Sequence, residues 1–94
     1  MVVVPGAWPL AIPSGSIVAT ARRFNDQGQA VFAQGVTVSI SGPKSGTAPT
    51  GWGDIAGKAK FYDLPPGNYT VTWNGRVGYA AVVLGQTAYV DLGP

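Results

Sequence analysis

The clearest structural signal in the chain is the stretch KAKFYDLPPGNYTVTW at residues 58–73. Ala59 and Phe61 alternate with polar neighbours, which is the period-two pattern of a half-buried strand. The Pro-Pro-Gly that follows predicts a rigid corner, because proline fixes φ and glycine accepts a positive φ. Beyond the corner, Tyr69 and Val71 alternate with threonines. The stretch therefore predicts two strands joined by a tight corner.

The same alternation recurs along the chain and predicts an all-β fold. The 14 glycines and 8 prolines fall at short intervals along the chain, and no long stripe of apolar residues has the 3.6-residue period of a helix. Asn25-Asp26-Gln27-Gly28 predicts a turn, Asn74-Gly75 a type I′ hairpin and Gly85-Gln86 a type II′ hairpin, whereas residues 41–49 are expected to form a loop. The predicted strands are residues 17–23, 36–40, 50–53, 58–62, 69–73, 77–84 and 87–92. This pattern favours a seven-stranded antiparallel β-sandwich over residues 16–94.

The composition excludes most enzyme chemistry. The chain has no histidine, no cysteine and no glutamate. A disulfide framework, an ordinary zinc site, a thiol nucleophile and a Ser-His-Asp triad are therefore excluded. The four carboxylates are predicted at turns and strand ends, at Asp26, Asp54, Asp63 and Asp91. We predict a protein that is not an enzyme and uses no metal or cofactor.

The charge pattern argues against nucleic acid and against a membrane as partners. Charged residues make up 11% of the chain, compared with about 25% in an average soluble domain. The net charge is only +2, and the basic pairs Arg22-Arg23 and Lys58/Lys60 do not form a cationic stripe. The longest apolar run, residues 77–84, is too short to span a bilayer. The low charge instead favours coverage of part of the surface by other protein subunits.

Residues 1–15 are predicted to form an extended apolar arm. They carry no charge and three prolines, which disfavours a place in the central sheet. The sequence has no basic region of a signal peptide, so the arm is expected to belong to the working protein. Leaving its large side chains in water is costly, so we expect them to dock on a partner, add a strand to its edge or fold back on their own domain. These candidate interface residues are Val2, Val3, Val4, Trp8, Leu10 and Ile12.

The predicted strand at 77–84 is apolar on both faces. An antiparallel strand ordinarily has one polar face, and the core of a sandwich buries only the other face. One apolar side of this strand is therefore not needed for the core. The surplus side is expected to contact either the arm or a neighbouring subunit, with a small-residue face open to water as the alternative. Tyr79, Val82 and Leu84 complete the predicted partner interface.

Trp52 is a candidate contact for a ligand or a surface. It lies between two glycines, and a tryptophan on a loop binds sugar rings or anchors an interface. The alternative is a core tryptophan at one end of the sandwich. Trp73 is predicted in the core, with Arg76 stacked on its indole across the Asn74-Gly75 turn.

Residues 15–92 resemble the transthyretin-like sandwich repeats, which include the carboxypeptidase regulatory-like and Cna-B-like domains. The shared pieces are Asn25-Asp26-Gln27-Gly28, Val36-Thr37-Val38, and the run from Asp54 through Phe61 and Asp63-Leu64-Pro65-Pro66-Gly67 to Val71. The resemblance implies that the seven-stranded antiparallel sandwich is of immunoglobulin-like or transthyretin-like type and acts as a spacer, stalk or docking module. The isopeptide bond of some Cna-B domains is not implied, because the chain has no glutamate to assist it.

The apolar arm on a small sandwich is similar, in architecture, to immunoglobulin-like decoration or accessory proteins of tailed-phage virions. We therefore predict a structural virion protein, assembled in the host cytoplasm, that docks on a capsid or assembly protein or on copies of itself. The alternatives are a module that binds carbohydrate or a cell surface, and a spacer domain of a secreted, extracellular protein.

Overall fold

A computed structural model of the chain describes residues 14–94. They form an all-β sandwich of two four-stranded sheets. The strands are β1 (Gly15–Phe24), β2 (Ala30–Phe32), β3 (Thr37–Ser41), β4 (Gly46–Pro49), β5 (Lys58–Leu64), β6 (Gly67–Trp73), β7 (Arg76–Val82) and β8 (Thr87–Leu92), with a 3₁₀ turn at Gly53–Ile55. The predicted arm falls almost entirely on residues 1–13, outside the described part of the chain.

The first sheet is built around β1, which is paired along both edges. Strand β5 pairs antiparallel with one edge and β8 pairs parallel with the other. Strand β2 continues the β5 edge: Ala21 N donates to Gly57 O at 2.8 Å, and Ala21 O accepts from Ala33 N at 2.9 Å. Because the N–H and C=O of one strand residue face the same edge, β2 and β5 follow one another along that side of β1.

The second sheet has the order β4-β3-β6-β7 and is antiparallel throughout. Strands β6 and β7 form a hairpin through Asn74-Gly75, where both residues have positive φ, 50° and 77°. This confirms the predicted type I′ turn, whose twist matches that of the two strands. The Asn25–Gly28 turn is also confirmed, since Gly28 N donates to Asn25 O at 3.0 Å and Gly28 has a φ of 77°.

The strand prediction was wrong in three places. Residues 46–49, expected in a loop, form β4, and β2 was not predicted at all. Residues 50–53 contain only an isolated bridge between Gly51 and Ala56. Strand β2 has only three residues and β4 consists of Gly, Thr, Ala and Pro, and neither strand has a fully buried residue, so local alternation gives no signal for them. Within residues 14–94 the sandwich has eight strands, not seven.

Two further predictions were wrong: that all strands pair antiparallel, and that Gly85-Gln86 forms a type II′ hairpin. Strand β8 does not pair with β7; it crosses to the first sheet and lies parallel to β1. The connecting turn has Gly85 in its third position, with a φ of 73°, and Gln86 N donates to Val83 O at 3.1 Å. A type II′ turn needs glycine in the second position, so this turn has the glycine placement of a type II turn and joins two sheets rather than two neighbours.

The core is formed by small and medium apolar side chains on the inner faces. Ile17, Ala19 and Ala21 of β1 are fully buried, and β5 contributes Ala59 and Phe61 as predicted. The remaining large members come from the other strands: Val38, Ile40, Leu64, Tyr69, Val71, Val82, Val90 and Leu92. Trp73 is partly buried against this cluster, and the Arg76 guanidinium lies 5.7 Å from its ring centroid, so the predicted stacking is present. No helix within residues 14–94 is long and apolar enough to cross a membrane.

The corner between β5 and β6 is fixed by Tyr69. Its ring is buried, with 1% of its surface exposed, and its hydroxyl donates to Pro65 O at 2.7 Å. Asp63 has a positive φ of 56° at the end of β5, where the ladder with β1 is irregular. A tyrosine that bonds to the backbone just before its own strand is the tyrosine corner found in immunoglobulin-like sandwiches. The bond ties the crossing from the first sheet to the second.

Burial raises the pKa of the Tyr69 phenol above its ordinary value of 10.0, outweighing the opposing effect of the Lys44 backbone. The neutral phenol is therefore favoured in the folded state, and its contribution is intact below pH 10 and lost as the pH rises through the folded pKa. We expect Tyr69→Phe to cost about 1 kcal/mol at pH 7 and to reduce the loss of stability above pH 10. Urea unfolding at pH 7 and pH 11 measures both effects. The exposed Tyr79→Phe is the control, and an equal alkaline loss in all three proteins would contradict the assignment.

Gly78 lets β7 pack directly against β8. A Cβ at this position would overlap Val90 Cγ1 and lie 3.2 Å from Leu92 Cδ2. We expect Gly78→Ala to destabilise the fold by about 1–3 kcal/mol, because the buried side of β8 must move. Gly46→Ala is the matched control, since a Cβ on this strand glycine meets nothing within 4 Å. Thermal unfolding of the two variants tests the contact, and equal melting temperatures would show that the two sheets are not held so closely here.

Candidate docking surface

The outer face of β7 is apolar and exposed. Val77 is 52% exposed and Tyr79 77% exposed, and Ala81 continues the same side of the strand. The register places Tyr79 beside Thr70 and Val77 beside Thr72. The face continues across β6 and β3 as rows of Ser and Thr, so its strand positions carry no charged residue: Thr37, Ser39, Ser41, Asn68, Thr70 and Thr72. This uncharged face is suited to a protein partner, since charged groups are depleted in the centre of interfaces.

Val82 does not belong to this surface, although it was predicted there. Its side chain is 4% exposed and packs in the core with Ala80. The sequence pattern shows that 77–84 is apolar on both sides, but not which side faces the first sheet across the core. Strand β7 also ends at Val82, so Val83 and Leu84, each 50% exposed, lie in the turn to β8. Tyr79 and Leu84 are therefore accessible, and Val82 is structural.

Trp52 is a surface residue, so the core alternative was wrong. Its side chain is 67% exposed, and its indole lies over Gly35, where a Cβ would come within 2.5 Å of Trp52 Cζ2. Thr50 anchors the chain next to Trp52. Its buried hydroxyl donates to Ala33 O at 2.6 Å and accepts from Val36 N at 3.0 Å. Ile55 of the 3₁₀ turn, 45% exposed, flanks the indole. Trp52 and Ile55 line a cavity of about 620 Å³ between β4 and β5.

The outer face of the first sheet carries aromatic side chains that the sequence analysis did not single out. Tyr89 is 79% exposed, Tyr62 61% and Phe32 47%. The register sets Lys60 and Tyr89 on either side of Val18. Sequence alternation gives the outward direction of Tyr62, but the parallel pairing of β8 brings Tyr89 onto the same face. The signal is present in the sequence only as isolated tyrosines on separate strands.

The aspartates are dispersed rather than gathered. Asp91 accepts a hydrogen bond from Arg22 Nη2 at 2.7 Å, and both side chains are exposed enough for this pair to be worth little. Asp26 lies in the turn after β1, Asp54 in the 3₁₀ turn and Asp63 at the β5 corner. Among residues 14–94 no group of three or more acidic, histidine or cysteine side chains is placed to hold a metal ion.

The residues predicted to contact a partner or ligand thus lie in separate parts of the molecule. Tyr79 lies on β7 and Trp52 beside β4, at opposite edges of the second sheet. The arm residues Val2, Val3, Val4, Trp8, Leu10 and Ile12 lie outside the described residues.

Comparison with known proteins found no match to this chain. No protein-family model, no curated protein and no solved structure matches it. The resemblance to transthyretin-like repeats and to phage decoration proteins therefore stays a prediction from the sequence.

Proposed function

We propose that this chain is a non-enzymatic structural protein that docks into a larger assembly through its apolar N-terminal residues and the outer face of β7. The observation that supports this most directly is the exposure of Tyr79 and Val77 on a sheet face without charged strand positions. Burying such side chains in a partner is worth roughly 1.5–3 kcal/mol each. Residues 1–13 add the six apolar side chains of the predicted arm interface and no charged side chain. Repeated over many copies, contacts of this size sum to stable attachment.

The assembly we propose is a tailed-phage virion formed in the host cytoplasm, and the sandwich is proposed to be of transthyretin-like type. The first proposal follows from the small domain with an apolar arm, and the second from the motifs between Asp54 and Val71. The tyrosine corner at Tyr69 and the crossing of β8 to the first sheet are compatible with either sandwich type.

The test is to purify the particle and measure the number of copies of this chain by quantitative mass spectrometry. We expect a stoichiometric component whose incorporation falls at least tenfold in Tyr79→Ser. Tyr89→Ser is the matched control, since Tyr89 is equally exposed, at 79% against 77%, but lies on the other sheet. Absence of the chain from the particle, or equal incorporation of both variants, would overturn the proposal.

A second candidate function is supported by Trp52. An exposed indole held over a cavity of about 620 Å³, with Lys58 and Lys60 on its border, matches the aromatic platforms on which sugar rings stack. This favours a module that binds carbohydrate or a cell surface, as a spacer or stalk of an extracellular protein would.

Glycan-array binding distinguishes the two functions. If the second function holds, Trp52→Ala abolishes binding while the fold is retained, because the residue is largely exposed. Tyr79→Ser should then bind as the parent protein does. If the parent chain binds no glycan, the second function is wrong.

A further inference from the structure

The edge of β5 that faces away from β1 is open. Among the described residues, β5 pairs only with β1, apart from one bond in which Gly51 N donates to Lys58 O at 3.1 Å. That bond shows that the backbone of Lys58 faces the open edge, and by alternation so does the backbone of Lys60. Lys60 N–H and C=O are therefore available to an added strand.

A groove follows this edge between the two sheets. The cavity of about 620 Å³ beneath Trp52 and a second cavity of about 230 Å³ lie along it, and Ala48 and Lys60 border both. Trp52 and Ile55 line one end, and Phe61 and Leu64 form the floor of the other. The groove thus combines apolar walls with free backbone groups, which is the combination that binds an extended apolar segment.

Residues 2–12 have the pattern of such a segment. Five of their six large apolar side chains occupy even positions, at Val2, Val4, Trp8, Leu10 and Ile12, and Val3 is the exception. The prolines within and directly after the segment occupy odd positions, at 5, 9 and 13. In an extended strand, alternate residues direct their backbone groups to opposite edges. One edge of residues 2–12 can therefore pair without interruption, while the other edge is closed by proline.

A parallel pairing suits both the groove at the β5 edge and the sequence pattern of residues 2–12. In a parallel ladder, a residue that directs its backbone to the partner bonds to the two neighbours of the residue beside it, as Ser16 does: it lies beside Thr87 and donates to Gln86 O at 3.1 Å. The even residues of the segment would then lie beside Ala59 and Phe61, whose side chains face the core. An antiparallel pairing would set them beside Lys58 and Lys60, whose side chains face solvent.

The point where the chain enters β1 favours a second copy as the acceptor. Ser14 O accepts from Gly85 N at 2.9 Å, on the β8 side of β1 and away from β5. A return from Ser14 to the chain's own β5 edge would need a reversal and a crossing of about 10 Å, the width of two strand spacings, before the segment reached the groove. Thirteen extended residues span about 45 Å, roughly twice the length of β5, which is enough to reach a neighbour.

We propose that residues 2–12 of one copy add a parallel strand to the β5 edge of a second copy, with Trp8, Leu10 and Ile12 in the groove between β4 and β5. The inference rests on the proposed docking function and names the partner of the apolar segment. It makes this protein self-assembling, with each copy both donating a strand and accepting one.

Disulfide trapping tests the proposal directly, because the chain contains no cysteine. In the proposed strand, Ala7 and Ala11 share the outward face with Lys60, and the register decides which of the two lies beside Lys60 at the separation that a disulfide requires. We expect a mixture of full-length Lys60→Cys with Ala7→Cys or Ala11→Cys to give a heterodimeric disulfide on a non-reducing gel, identified by peptide mass spectrometry. The yield should be at least five times the yield obtained when Tyr89→Cys takes the place of Lys60→Cys. Tyr89 is also exposed, but it lies on the other side of β1.

Two results overturn this inference. One is the absence of selective cross-linking from both alanine positions. The other is an Ala11→Cys/Lys60→Cys double variant that forms its disulfide only within one chain, which would make the segment a strand of its own domain. Particle incorporation is a separate measurement. If the chain enters particles without forming this cross-link, only the proposal that a second copy accepts residues 2–12 is refuted. If the chain cross-links but enters no particle, only the proposed docking function is refuted.

Discussion

The sandwich depends on β1, whose backbone is hydrogen-bonded along both edges. Antiparallel β5 and β2 occupy one side and parallel β8 the other, so the first and last described strands are neighbours. Ile17, Ala19 and Ala21 are each fully buried beneath this ladder. A buried strand must satisfy all its N–H and C=O groups, and β1 does so only when chain segments far apart in sequence have met. The fold is therefore closed by its last strand.

The two sheets approach each other through small side chains. Alanines at positions 19, 21, 59 and 80 lie on the inner faces, and Gly78 allows Val90 and Leu92 to pack against the backbone of β7. This closes the β7–β8 side of the sandwich. Tyr69 fixes the opposite crossing, from β5 to β6, by its bond to Pro65 O. Ala80 and Val82 fill the inner side of β7, and Val77 and Tyr79 lie on its opposite, outer side.

The other side of the sandwich, between β4 and β5, is not closed in this way. Strand β4 is short, Trp52 and Ile55 stand above a cavity, and the backbone of Lys60 faces outward. The lysines of β5 are typical of an edge that must resist indiscriminate pairing. A segment that is accepted there has to bring apolar side chains for the groove and a proline-closed outer edge, and residues 2–12 carry both. Exposed apolar surface thus remains at this edge and on the outer face of β7.

The sequence by itself determined most strands, the alternation of Ala59 and Phe61 in β5 and of Tyr69 and Val71 in β6, the Asn74-Gly75 hairpin and the corner before Tyr69. These features depend on neighbours within a few residues, through proline and glycine dihedral angles and the period of two. Only the tertiary structure decided that β8 lies parallel to β1, that 46–49 is a strand, that Val82 is core while Tyr79 is surface, and that Trp52 is exposed. Alternation distinguishes two faces but does not say which is inward. That choice is made by the strands that happen to lie opposite, and they come from distant parts of the chain.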